Sequence, residues 1–257
     1  MDIKIVCHTF VTNKSISFRL EGLDSVKHLA IRSEGKLKTK LINNTFEIRV
    51  DNDFFKATNF EVEHLTGDRL CLALLMVFTP TFTAIATDEV QRDYFKINDF
   101  PEFDNVYLEV DFEVSESLKR VFKKKWMFPK LSIETTSLNP KLNNPMYTTP
   151  HTSVPWGGGF DSTASILIFD DLPNCEYYIL DSSENRKAKD FYNLSGYYVP
   201  TVTTNCKHMY SDGGWPIWTA PMLPALLRGD SACFPGTTSG SFIADGYLYR
   251  YNRNLWL

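Results

Sequence analysis

The residues best placed to do chemistry sit together in one short stretch, Trp156-Gly157-Gly158-Gly159-Phe160-Asp161-Ser162-Thr163. Three consecutive glycines permit positive φ and let the backbone approach a ligand closely. Asp161, Ser162 and Thr163 are helix-start residues, and the run Ala164–Phe169 continues as an apolar helix. A glycine turn feeding a helix N-terminus presents unpaired N–H groups and the positive end of the helix dipole, which suits phosphate or another anion. The stretch lacks the Gly-Lys-Ser/Thr of a Walker loop, and it lacks G-x-G-x-x-G with a ribose-binding acid. Triple glycine alone favours a flexible turn that precedes a helix. The Asp161-Ser162 pair at a fixed offset is what points to anion binding.

Other polar groups follow the same stretch. A strand Glu176–Leu180 is expected to end at Asp181-Ser182. Further on, Asp212-Gly213-Gly214-Trp215-Pro216-Ile217-Trp218 leads into an expected helix Pro221–Leu227, and Arg228-Gly229-Asp230 turns into an expected strand Ser231–Phe234. Gly236-Thr237-Thr238-Ser239-Gly240-Ser241 is then a polar loop. Trp215 and Trp218 suit the wall of a substrate pocket, and equally a plain core. The hydroxyls of Thr237, Thr238 and Ser239 suit the polar end of a substrate, and equally a turn. His208 lies two residues after Cys206, too few ligands for a metal centre. The five cysteines are odd in number and widely spaced, with no C-x-x-C, which favours neither disulfides nor zinc and makes a reducing cytoplasm the expected compartment.

Gly158-Gly159-Phe160-Asp161-Ser162 resembles the S-G-G-x-D-S pyrophosphate loop of the N-type ATP pyrophosphatases, the PP-loop superfamily that includes GMP synthetase, NAD synthetase, asparagine synthetase and the queuosine-precursor nitrile synthase. The resemblance implies a parallel α/β sheet with the loop between its first strand and first helix. It implies ATP and Mg²⁺ as cofactors, with ATP split between its α and β phosphates and AMP left on a carboxylate or carbonyl oxygen. Carried over, Gly157, Gly158, Gly159, Ser162 and Thr163 hold the phosphates, and Asp161 sits beside them and their Mg²⁺. Asp161 and Ser162 are then the catalytic pair, and Asp181 and Ser182 lie where members contact adenosine. The layout from Asp212 to Ser241 is similar to one branch, the UDP-N-acetylmuramoyl-dipeptide epimerases, which adenylate a glutamate carboxylate and so acidify its α-proton. The match covers roughly the last hundred residues. Position 157 is Gly where most of the superfamily has Ser, and Phe160 stands where the epimerase branch has Lys, removing a cation beside the phosphates.

These groups need elements to hold them. In the first half, Val106, Leu108, Val110, Phe112 and Val114 alternate with polar residues and predict a half-buried strand. Weaker alternation predicts strands over Ile3–Phe10, Ser15–Leu20, Ala30–Ser33 and Phe46–Val50. Helices are expected over Gly67–Phe78 and Glu116–Trp126, the second with Leu118, Val121, Phe122 and Trp126 on one stripe. Lys119, Arg120, Lys123, Lys124 and Lys125 cover the rest of it, a solvated face in preference to a phosphate site. Prolines 140, 145, 150 and 155 mark a connector. The expected organisation is an α+β, β-rich N-terminal domain over 1–138, a linker over 139–155, and a Rossmann-like PP-loop α/β domain over 156–257. His151–Pro155 is poor in the β-branched residues of a buried parallel strand. The second domain is also short of strands for a complete sheet, which implies a truncated member or one completed by a partner. Tyr247, Tyr249, Tyr251 and Trp256 suit a homo-oligomer or partner interface, or the finishing of the core.

The whole chain sets the outer bounds. It has 257 residues, 43% hydrophobic and 23% charged, with a net charge of −4, so it packs a core and carries no cationic excess for nucleic acid or anionic membranes. Met1–Lys4 does not begin a signal peptide, and Leu70–Ala86 reads as a buried core helix ending near Pro80, not a membrane span. Two functions from different classes fit: an ATP-dependent enzyme that adenylates a carboxylate or carbonyl group, epimerase-like in its most specific form, and a non-catalytic nucleotide-binding or protein-interaction module with a degenerate PP-loop. Modification of a nucleic-acid base is disfavoured by the net charge and by the missing cysteine cluster.

Overall fold

The computed structural model describes residues 1–12, 14–26, 30–33, 37–50, 65–90, 92, 101–125, 128–136, 149–156, 165–168, 171, 174–181, 201–211, 220–233, 243–244 and 247–248. Period-two alternation builds the first strands. β1 (Ile3–Val11) turns Ile3, Ile5, Cys7 and Thr9 inward, and it pairs antiparallel with β2 (Ser15–Glu21). β3 (Ala30–Ser33) and β4 (Leu37–Lys40) form a separate two-stranded ladder, and β5 (Thr45–Val50) pairs antiparallel with β2. Phe18 and Phe46 are opposite each other in that pairing and stack with ring centroids 6.4 Å apart.

The expected helix over Gly67–Phe78 is α1 (Gly67–Val77), capped by the Thr66 side chain, which accepts from Arg69 N. The apolar run does not continue as one helix to Pro80. It bends by 81° into α2 (Thr79–Ala86), with Pro80 in the first turn, where its missing N–H is no loss. Every residue of α2 is buried. Among the described residues no single helix is long and apolar enough to cross a membrane, although this bent pair passes by length and composition.

β6 (Val106–Val110) leads through α3 (Glu116–Lys125) to β7 (Leu131–Thr135), parallel to β6, which is itself parallel to β1. The alternation expected through Val114 ends as strand at Val110, while Phe112 and Val114 stay buried beyond it. Ser115 donates from its N and its Oγ to Asp68 at 2.7 Å, tying the start of α3 to the first turn of α1. Val121, placed on the apolar stripe by spacing, is 41% exposed, whereas Phe122 is buried.

The second half adds β8 (Thr149–Trp156), β9 (Cys175–Asp181), β10 (Thr201–Thr204), α4 (Leu223–Arg228) and β11 (Asp230–Cys233), and then a short ladder of β12 (Ile243–Ala244) and β13 (Tyr247–Leu248). β8 takes residues 149–155 of the expected linker into strand, despite Pro150 and Pro155. Pro155 lies beyond the last β8–β11 pair, Ser153 with Cys233, where the strand needs a partner on one side only.

Nine strands share one mixed sheet in the order β11-β8-β9-β10-β5-β2-β1-β6-β7. β10 joins β5 antiparallel, so strands from both sequence halves hydrogen-bond in one sheet. The Asn205 side chain seals that junction, accepting from Glu47 N at 2.9 Å and donating to Thr45 O at 2.8 Å. Thr81 and Tyr210 hydroxyls meet at 2.9 Å inside the core, which runs without a break from Ile5, Phe18 and Leu108 to Tyr178, Val202 and Leu227. The architecture is a mixed sheet with helices, of the α+β kind.

Candidate functional site at the β8–β11 seam

The second-half strands of the main sheet run parallel to one another, β11 with β8, β8 with β9 and β9 with β10. In chain order the chain lays β9 and β10 outward on one side of β8, then crosses back and lays β11 on the other side. The order therefore reverses between β8 and β11. Helices after such strands start at opposite faces and leave a crevice at the carboxyl ends, the usual ligand position in open α/β sheets. The chain leaves β8 at Trp156 with Gly157 as its next residue, and it leaves β11 at Cys233, three residues before Gly236. The two segments singled out by sequence thus begin at neighbouring strand ends.

Those segments themselves, Gly157, Gly158, Gly159, Phe160, Asp161, Ser162 and Thr163, with Ser182, Trp215, Trp218, Thr237, Thr238 and Ser239, lie outside the described residues. Asp181 is the last residue of β9, the position expected for it. Tyr249, Tyr251 and Trp256 also lie outside, and Tyr247 starts β13. The helix expected after the glycine turn is present over 165–168, but Leu167 is 76% and Ile168 70% exposed, so these apolar residues do not cover the sheet.

Beneath the strand ends the frame is tightly packed. Ser153, Val154 and Trp156 of β8 are buried, as is Tyr178 of β9, whose hydroxyl donates to Pro221 O just before α4. α4 ends at Gly229, whose φ of 83° is the left-handed conformation that only glycine adopts freely, and whose N–H bonds Ala225 O and Leu226 O. That turn brings two charges together. Arg228 Nε donates to Asp230 Oδ1 and Nη2 to Asp230 Oδ2, each at 2.6 Å, and both side chains are fully buried. Arg228 Nη2 also donates to Ser153 Oγ at 2.7 Å, and the Ser153 hydroxyl donates to Asp230.

Arg69, in the first turn of α1, lies close enough for the Asp230 charge to act on it. Desolvation pulls the Arg69 guanidinium below its usual pKa, while Asp230 pulls the other way. Among the described residues its Nη1 is buried without a hydrogen-bond partner. Sequence reading took Arg228-Gly229-Asp230 only as a turn and missed Ser153 and Arg69 altogether. The available signal was two opposite charges flanking a glycine at the end of an apolar helix.

Among the described residues no three His, Cys, Asp or Glu side chains gather to hold a metal ion. Cys7 and Cys71 are buried in the core, and burial raises both thiols well above their usual range. Comparison with protein-family models, with curated proteins and with solved structures gives no match.

Proposed function

We propose that this chain is an ATP-dependent enzyme that activates a carboxylate or carbonyl group by adenylation, releasing pyrophosphate. The observation that carries the reading is the reversal of strand order between β8 and β11, with the glycine run following one strand and the Thr237–Ser239 loop following the other. The order β10-β9-β8-β11, parallel throughout, agrees with the Rossmann-like sheet that the resemblance to PP-loop enzymes implies. In this reading the N–H groups of Gly157–Gly159 and the Ser162 hydroxyl grip the β and γ phosphates. Asp161 would hold the Mg²⁺ that travels with ATP, which takes one or two protein carboxylates beside phosphate oxygens and water and would neutralise phosphate charge. An acyl oxygen attacks the α-phosphorus, the bond to the β-phosphate oxygen breaks, and pyrophosphate leaves with the electron pair. Fixed N–H dipoles aimed at that departing charge supply the stabilisation. An amino-acid or peptide-like substrate, epimerised at the α-carbon whose proton adenylation acidifies, is the most specific form.

A second reading, a nucleotide-binding or interaction module without turnover, is favoured by exposed Leu167 and Ile168 directly after the loop, which suit a partner surface. Pyrophosphate release from Mg-ATP, measured across candidate acids in the wild type and in Gly158→Asp, separates the two. The enzyme reading expects release that the Gly158→Asp carboxylate abolishes. Binding of ATP without release from any acid leaves only the module.

A further inference from the structure

The main sheet has an outermost strand at each side, and the two differ. β11 ends one side with four residues and a register shift, both devices that spoil an edge for further pairing. β7 ends the other with five residues in unbroken parallel register with β6, and it contains neither proline nor lysine. Thr136 N donates to Val110 O and Lys130 O accepts from Val106 N, so the even-numbered residues turn their main-chain groups toward β6. The main-chain groups of Ile133 and Thr135 therefore face away from the sheet, and among the described residues no hydrogen bond takes them.

The second observation is charge. Leu118 and Phe122 seat α3 on the core that also holds Leu131 and Ile133, so the helix flanks β7 on the inner face of the sheet. Within ten residues α3 carries Lys119, Arg120, Lys123, Lys124 and Lys125 against Glu116 alone. Glu116 engages Lys119 at 2.8 Å, whereas Arg120 and Lys123 are exposed and form no ion pair among the described residues. An open strand edge beside a surplus of cations suits an extended chain that brings acids with it. A second copy of this chain suits it poorly. Two-fold pairing of β7 with itself would set two α3 helices of like charge on the same face of the joined sheet.

We propose that β7 accepts an acidic extended segment of a partner protein as a tenth strand, with its acids on the α3 side. Main-chain pairing to Ile133 and Thr135 supplies the binding, and the alternate side chains facing α3 supply the selectivity. Glu134 is exposed on the opposite face and disfavours acids there, so the segment alternates acidic with neutral residues. This surface is independent of the nucleotide reading.

The test titrates the full chain, by fluorescence anisotropy, with an eight-residue peptide alternating threonine and glutamate. Two controls are its lysine counterpart and its fully N-methylated form, which keeps the charges and has no N–H to donate. The glutamate peptide is expected to bind about 10-fold tighter than the lysine peptide, and the N-methylated form not at all. The double variant Arg120→Glu/Lys123→Glu should lose the preference for glutamate. Thr135→Pro, which removes one outward donor from an edge, should weaken binding about 10-fold. Bound peptide should also slow exchange of the Ile133 and Thr135 amides about 10-fold and leave β1 unchanged. Should Thr135→Pro not fold in a thermal melt, the N-methylated peptide and the exchange data decide. Absence of binding overturns the proposal. Equal binding of the N-methylated form reduces it to charge alone, and equal binding of the lysine peptide removes the acidic partner; either overturns it. A peptide-free dimer in sedimentation that Thr135→Pro dissociates would give the edge to a second copy. A thymidine oligonucleotide that outbinds the peptide, and is lost in Arg120→Glu/Lys123→Glu, would give α3 to nucleic acid; both overturn it too.

Discussion

Replacing Arg228 with methionine strands the Asp230 carboxylate in the interior. Both side chains are fully buried, and two bonds of 2.6 Å join them. Removing one member of a buried pair costs about 3–5 kcal/mol, mostly the desolvation of the charge left behind. Two features place this site near the lower end. The Arg69 charge acts on Asp230 from α1, and the Ser153 hydroxyl still donates to it. The expected loss is thus about 3 kcal/mol. For a chain of this size that lowers the melting temperature by about 6–12 °C. Adding Asp230→Leu removes the stranded charge, and the double variant should recover at least half of the loss although Ser153 then lacks its partner. Urea unfolding followed by circular dichroism and tryptophan fluorescence, with slopes compared between variants, gives both numbers. A single variant within about 1 kcal/mol of wild type would refute the buried pairing. A double variant no better than the single would show that packing, not charge, sets the cost.

Three further outcomes follow from the frame. Gly67→Ala places a Cβ against the Glu113 carbonyl, so despite the helix propensity gained it should destabilise by about 1–3 kcal/mol in a thermal melt; a stabilised variant would deny the close approach. Asn205→Ala removes both side-chain bonds to β5 and should cost about 1–3 kcal/mol, with hydrogen exchange rising first in β5 and β10; exchange that rises elsewhere would argue against a seal at this junction. Cys7 and Cys71 have folded pKa values raised by burial above the ordinary 9.0, so the unfolded state releases these protons first. Stability is accordingly full below pH 9 and falls as pH rises past it, by up to about 1.4 kcal/mol per pH unit for each thiol. Cys7→Ala and Cys71→Ala should each flatten that slope between pH 8.5 and 10, and parallel slopes would contradict the burial.

Local pattern made much of the scaffold readable. Alternation placed β1, β2 and β5 because each buries one face, and it also marked the position of β3; spacing placed α1 and α3 because each buries apolar residues in the core. Long-range partners carried no such pattern. Six of the eight residues of β8 are threonine, serine, histidine or proline, a composition that reads as connector until β9 and β11 flank it. The expected shortage of strands in the second half has its answer in β5, whose pairing with β10 continues the sheet into the first half. Pro80 looked like a stop and is a start, since proline fits either side of a helix break. At the site, sequence singled out the glycine run and the hydroxyl loop from their types. The charges that brace the strands under them became visible only when α4, β8 and β11 were brought together.

The junction of β5 and β10 also has a meaning in time. Asn205 and Glu47 are 158 residues apart along the chain. At ribosomal speeds of about 5–20 residues per second, β5 waits about 8–30 s for its neighbour. Throughout that wait the nascent chain displays an unpaired edge, the very surface on which strands from other chains add themselves. Synthesis of this protein therefore passes through a period in which yield depends on what shields residues 45–50, and slowing translation downstream of them should lower soluble yield without altering the finished fold.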